Sequence, residues 1–352
     1  MLPARRPYAD ELAFSAILRC CAQFNISTKK LGQLYLGREG WRPSFLAASP
    51  LVEVAQLFRL SPEALLWNHT MFPYASVTLR RENYRRALLN AFGRTAEARK
   101  LGAITQNVST ALSFLRYCRY CAEEEKERLL VSFWHRSHNL PGVWVCERHM
   151  CFLWESTIAV GSSGPLGKSM PHECCGRRLG RGVPSGEFLR VSQISRQWLH
   201  RDWGSELSVR ATEYRQLAIA NDWLSSHRPV GLELFTKCLT TIFSRRYLLD
   251  CGLPGGPAKW AVLMLQPSID LEFVPVKHAL LLAMLERPRP EDLPRVDHIS
   301  SGPSGTRASV IDNFYARAAK RELSKLIAQR YTVTTEEYLR AVGCWGVYKH
   351  RK

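Results

Sequence analysis

The segment RYCRYCAEEEKERLLVSFWHRSHNLPGVWVCERHMCFL, residues 116–153, holds four cysteines and three histidines of a 352-residue chain that has 11 cysteines in all. Cys118 and Cys121 form a C-x2-C knuckle, and Cys146 and His149 form a C-x2-H knuckle 24 residues later. Each knuckle sets two soft donors on one tight turn. Two such turns brought together supply three sulfurs and one nitrogen, a tetrahedral set suited to zinc. Four protein ligands leave no open position, so one structural Zn2+ site is expected and not a catalytic one. The thiolates lose their protons on binding, which couples the metal to folding of the segment.

Other soft donors lie close by. Cys151 is a further candidate ligand or a small buried hydrophobe beside Phe152 and Leu153. His135 and His138 sit in an aromatic stretch with Phe133 and Trp134, where they are expected to pack or to face DNA. His172, Cys174 and Cys175 form a second cluster with no partner knuckle, so a second zinc site there is not expected. Cys20 and Cys21 fall on an apolar helical pattern and are read as core.

The elements that must position these residues read as helices. DELAFSAILRCCAQF (10–24) carries Leu12, Ala13, Ala16, Ile17 and Cys20 at helical spacing. Ser49–Pro50 and Ser61–Pro62 each look like an N-cap followed by proline in the first helical position. Short helices joined by short turns fit a helix-turn-helix-like bundle over residues 1–109. The zinc-binding knuckle domain is placed at 110–158. A Gly/Ser-rich, linker-like segment follows at 159–200, then a C-terminal helical, helix-turn-helix-like region at 201–290. Residues 291–352 read as a loop and a basic helical tail, with Thr334 and Glu337 at capping-box spacing. The expected fold class is mainly α.

The net charge is +18, with 49 Lys and Arg against 31 Asp and Glu, which biases the chain toward polyanionic partners. The residues expected to meet DNA are Arg80, Arg81, Arg85 and Arg86 in one basic helix, Arg245 and Arg246 near a Gly-containing break, and Lys349 and Arg351 in the tail. No apolar run reaches the length of about 18 residues that a membrane span needs. Asp10 and Glu11 interrupt what would be the apolar core of a signal peptide, so a cytoplasmic location with reduced thiols is expected. No G-x4-G-K-(S/T), H-E-x-x-H or G-x-S-x-G motif occurs, and carboxylates are scattered. Nothing in the residues asks for an enzyme.

RPYADELAFSAILRC resembles the P-Y-x-(D/N)-E-L-x-x-S motif of the TniQ/TnsD transposon target selectors. LLWNHTMFPYASV (65–77) is similar to their H-T-x-F-P stretch. Residues 116–153 are similar to their zinc-binding block, C-x2-C followed by (Y/F)-W-x-R-x3-L-P-x4-C-x2-H-x3-L. The resemblance carries the metal ligands onto Cys118, Cys121, Cys146 and His149, and assigns His69 and Pro73 to packing of the N-terminal helices.

It also implies a role in bacterial transposition without chemistry of the protein's own, in the cytoplasm and at the nucleoid. Such proteins mark a target on double-stranded DNA and recruit a TnsC-type AAA+ ATPase, which in turn engages the transposase complex. Some read a fixed attachment site; others dock on an RNA-guided Cascade complex. The chain ends earlier than long TnsD proteins, and its HECC cluster is incomplete beside relatives with two full knuckle pairs. Direct site-specific DNA binding is the leading expectation. A Cascade adaptor is the alternative, and a zinc-stabilised transcription regulator, dimeric on a palindrome, is the outlier.

Overall fold

The computed structural model describes residues 4–39, 41, 50–92, 112–160, 169–202, 211–225, 228–253, 257–266 and 273–297. The expected tail helices, Lys349 and Arg351 lie outside the described residues.

The N-terminal part is built from α1 (Ala13–Gln23), α2 (Thr28–Tyr35), α3 (Leu51–Leu57), α4 (Pro62–His69), α5 (Phe72–Ser76) and α6 (Arg81–Phe92). Every residue of α1 from Ala13 to Cys21 is buried, so this helix is surrounded by protein. It stops where Asn25 takes a φ of 49°, a left-handed conformation that asparagine tolerates. Ser27 caps α2, its hydroxyl accepting from the Lys30 amide; Ser61 caps α4 in the same way, with Pro62 at the first position. At α3 the expectation shifts by one residue. Pro50 is itself the extended residue before the helix, and Ser49 lies outside the described residues.

Among the described residues, the middle of the chain adds five short strands to a mainly helical fold. β1 (Phe114–Tyr117), β4 (Trp154–Ala159) and β5 (Gly176–Arg178) make an antiparallel sheet in the order β1-β4-β5, and β2 (Val145–Cys146) pairs with β3 (Cys151–Phe152). Helix α7 (Arg119–Leu129) follows β1 directly. The stretch at 159–200 is not simply a linker, because it contains β5 and α8 (Gly186–Leu199). Val191, Ile194, Trp198 and Leu199 of α8 are buried. Trp198 meets the ring of Tyr74 on α5, and Ser192 donates to the Val145 carbonyl of β2. The Gly/Ser composition hid a helix whose apolar residues recur three and four apart.

Helices α9 (Ala211–Ala220), α10 (Leu232–Phe243), α11 (Arg245–Asp250), α12 (Lys259–Met264) and α13 (Pro275–Leu285) complete the described chain. They join the strand region through Trp144, which meets Tyr247 of α11 edge-on at 4.8 Å and stacks on Phe188 of α8 at 6.1 Å. Tyr247 also donates its hydroxyl to the Gly142 carbonyl. Gly142 has a φ of 78°, and a Cβ there would lie 2.9 Å from the Val276 side chain. Only glycine suits that turn.

A buried polar hub binds the N-terminal helices to the strand region. Glu11 is fully buried; its carboxylate accepts from the Tyr8 amide, the Ser15 hydroxyl and the Arg19 guanidinium. Ser15 in turn accepts from the Trp134 amide, and the Leu12 amide donates to the Trp134 carbonyl. Asp10 accepts from the Ser137 hydroxyl and faces His135 at 3.3 Å; the other nitrogen of His135 meets Glu125 at 2.5 Å. Buried Arg136 donates to the Trp67 and Thr70 carbonyls, and His69 faces the Glu11 carbonyl at 3.0 Å. The three sequence motifs are therefore one interlocked network.

Burial alone would lower the His135 pKa, but the carboxylates of Asp10 and Glu125 outweigh it and raise it to about 10. Asp10 is held well below the usual carboxylate range: burial opposes this, and His135 and Arg136 overcome it. The imidazolium therefore contributes stability that is complete below the unfolded histidine pKa of about 6.5 and is lost as pH rises through about 10. Between pH about 7 and 10 the wild type is expected to lose more unfolding free energy than His135→Gln, read by urea denaturation; parallel pH profiles would exclude a charged His135. Glu11→Ala leaves Arg19 buried without its carboxylate and should cost about 3 kcal/mol in the same measurement.

Candidate metal centre

Cys118 follows β1 at the N-cap position of α7, and Cys121 lies in the first turn of that helix. The helix N-terminus favours negative charge on both sulfurs. Cys146 ends β2, and the turn into β3 carries His149 back toward the same point, with Met150 at a φ of 50°. The four ligand atoms all lie within 4.8 Å of one another, and the three cysteines are buried.

The distances test whether zinc fits. At Zn–S and Zn–N bond lengths of about 2.3 and 2.05 Å, a tetrahedron has S···S edges of about 3.8 Å and S···N edges of about 3.6 Å. Cys121 and Cys146 are 3.8 Å apart, and Nδ1 of His149 stands 3.5, 3.3 and 3.6 Å from Cys118, Cys121 and Cys146. The donor set fits a closed Zn2+ site. Nε2 of His149 lies 3.0 Å from the Glu124 carboxylate, which Arg148 holds at 2.6 Å. This contact puts the ring proton on Nε2 and leaves Nδ1 as the donor.

The thiols also display the need for a cation. Hydrogen bonds from Cys121 and Cys146 lower the Cys118 pKa to about 3, while Cys121, which shares its proton with Cys118, is pushed far above the normal thiol range. Three thiolates at this spacing can be charged together only around a positive ion.

The other soft donors have separate places. Cys151 is half-buried with its sulfur 3.7 Å from that of Cys118, yet it stands outside the four-atom set. Of the two expectations for His135 and His138, packing is the outcome and facing DNA is not: the rings lie 4.5 Å apart, His138 buried and His135 half-buried. Burial lowers the pKa of His138. His172 contacts the Ser132 hydroxyl at 2.7 Å, Cys174 donates to the Met170 carbonyl, and Cys175 is exposed. Cys20 and Cys21 are core residues, as their pattern indicates.

Residues 3–153 match the family model TniQ. This segment is a TniQ domain. The match takes in all four candidate ligands, and it places the protein among transposition-associated proteins. A comparison with curated proteins finds no match. Inside the TniQ domain, Arg80, Arg81, Arg85 and Arg86 are exposed on and before α6, with Arg81 and Arg85 one turn apart and Arg86 about 100° further round. Arg245 and Arg246 are exposed at the start of α11, outside the matched segment. Sequence reasoning missed Glu124 as the partner of His149 and the hub residues Glu125 and Arg136. Glu124 stands three residues after Cys121, on the metal-facing side of a helix, and that spacing was the available signal.

Cys118→Ser or Cys146→Ser is expected to abolish stoichiometric zinc and unfold the knuckle, whereas Cys151→Ser should keep one zinc per chain. Glu124→Ala should weaken zinc affinity roughly tenfold to a hundredfold, read by competition with a chromogenic chelator. Full zinc content in the Cys118 and Cys146 variants would overturn the ligand assignment.

Proposed function

We propose that this TniQ-domain protein selects a transposition target by binding double-stranded attachment-site DNA sequence-specifically and recruiting a TnsC-type AAA+ ATPase, which then directs the transposase. The TniQ domain carries the transposition part of this reading. The DNA part rests on exposed arginines on two helices of a chain with net charge +18. Arg80 just before α6, Arg81, Arg85 and Arg86 on it, and Arg245 and Arg246 on α11, offer long cationic side chains that neutralise phosphates and release counterions. Lys349 and Arg351 are assigned the same role from the sequence. Base-edge contacts add the sequence choice.

Zinc has a structural part in this scheme. Its four protein ligands leave it no position for water or substrate, so the metal itself serves structure and not catalysis. Retention of sheared host DNA followed by sequencing tests the reading. Enrichment of one locus supports direct target reading; even retention across the genome would move target choice to an RNA-guided Cascade complex, with this protein as adaptor.

The proposed contacts have their own test. Arg85→Ala with Arg86→Ala, and separately Arg245→Ala with Arg246→Ala, should each lower the slope of log affinity against log salt by about 2. An unchanged slope removes that pair from the interface.

A further inference from the structure

Beside the metal centre, on the outer side of the knuckle, lies a groove of about 340 Å3 lined by Arg119, Tyr120, Glu123, Cys151, Phe152, Trp154 and Arg178. Its chemistry is mixed in an ordered way. Phe152, Trp154 and Cys151 form an apolar floor, and the two arginines stand over it. The guanidinium of Arg119 lies 5.0 Å from the Trp154 ring and that of Arg178 lies 6.0 Å from the Phe152 ring. Tyr120 is 57% exposed at the rim, its ring 5.5 Å from that of His149.

A guanidinium stacked on an aromatic face is held flat, with its edge open to a carboxylate. Arg178 has no carboxylate partner among the described residues; it donates only to the Gly182 carbonyl. Arg119 reaches Glu123 at 4.0 Å with both side chains exposed, a weak pairing. The groove therefore presents two guanidinium groups against one carboxylate, that of Glu123, beside a recessed apolar floor.

We propose that this groove docks an acidic peptide segment of a partner protein. One aromatic or large aliphatic side chain sits on the Phe152–Trp154 floor, and flanking carboxylates engage Arg119 and Arg178. A DNA duplex offers phosphates but no apolar group that fills a recess beside them. The chain's own residues 298–352 have ten Lys and Arg against four Asp and Glu, so their charge is wrong for this site. A second copy, at net charge +18, is disfavoured for the same reason. The proposal concerns a protein partner and stands apart from the DNA contacts on α6 and α11.

The test uses the full-length, zinc-loaded protein as bait for a displayed library of random 12-residue peptides. Enriched sequences should be acidic with one aromatic or large aliphatic residue. The best of them, synthesised with a fluorophore, should bind Arg119→Glu/Arg178→Glu at least roughly tenfold more weakly than wild type. It should bind Lys29→Glu/Lys30→Glu, which changes exposed lysines on α2, as it binds wild type. Zinc content and melting temperature check the fold of each variant. Hydrogen exchange on the unmutated protein supplies a readout that no variant can confound: the peptide should protect 119–123, 151–154 and 176–178. No enrichment, neutral or basic sequences, equal loss in both double variants, or protection elsewhere would each overturn the proposal. Displacement of the peptide by duplex DNA from those same segments would also overturn it and make the groove a nucleic-acid surface.

Discussion

Two carboxylates adjacent in sequence, the half-buried Asp10 and the fully buried Glu11, are set against cations that the chain supplies from farther along. Glu11 takes Arg19 from the next helix, and Asp10 takes His135 and Arg136 from beyond residue 130. A carboxylate removed from water is tolerated only when its charge is matched; Asp10 Oδ1 makes no hydrogen bond and is balanced by the Arg136 guanidinium at 3.6 Å. The match therefore fixes the N-terminal helices against the knuckle block in one register. Other contacts follow from it. Tyr8 stacks on Phe133 at 5.2 Å and receives Arg19 over its face, and Trp134 is sealed between Ser15 and the Ser169 carbonyl.

Helix α7 connects this network to the metal. Its start carries two of the candidate ligands, Cys118 at the N-cap position and Cys121 in the first turn. One turn further, Glu124 orients His149, and the next residue, Glu125, meets His135 and accepts from the Phe133 amide. Successive residues on a helix point about 100° apart, so one short element serves the zinc ligand on one side and the buried hub on the other. A cation held by Cys118 and Cys121 would brace the first turn of α7 and, through it, the hub as well as the knuckle.

The surfaces assigned to partners lie outside this rigid centre. Arg81, Arg85 and Arg86 project from α6, which buries only Ala87 fully. Arg245 and Arg246 open α11, whose Tyr247 is anchored to Gly142 and Trp144 of the knuckle block. The aromatic groove sits directly on the knuckle. The surfaces proposed for DNA and for a protein partner are thus carried by elements packed on one core.

The sequence by itself determined the local chemistry. The spacing of Cys118, Cys121, Cys146 and His149 pointed to a four-ligand set, because each of two tight turns presents two donors. Capping by Ser27 and Ser61, and the apolar run of α1, followed from helical periodicity and cap preference. Only the tertiary structure decided which polar residues are buried together. Asp10 and His135 are 125 residues apart, and neither type announces burial, since both are common on surfaces. The same holds for α8, whose Gly/Ser-rich approach masked a core helix, and for Glu124, whose role depends on where His149 arrives. Periodicity and spacing act over a few residues and can be read along a chain. Charge pairing across the fold depends on which segments meet, and that is set by packing of the whole chain.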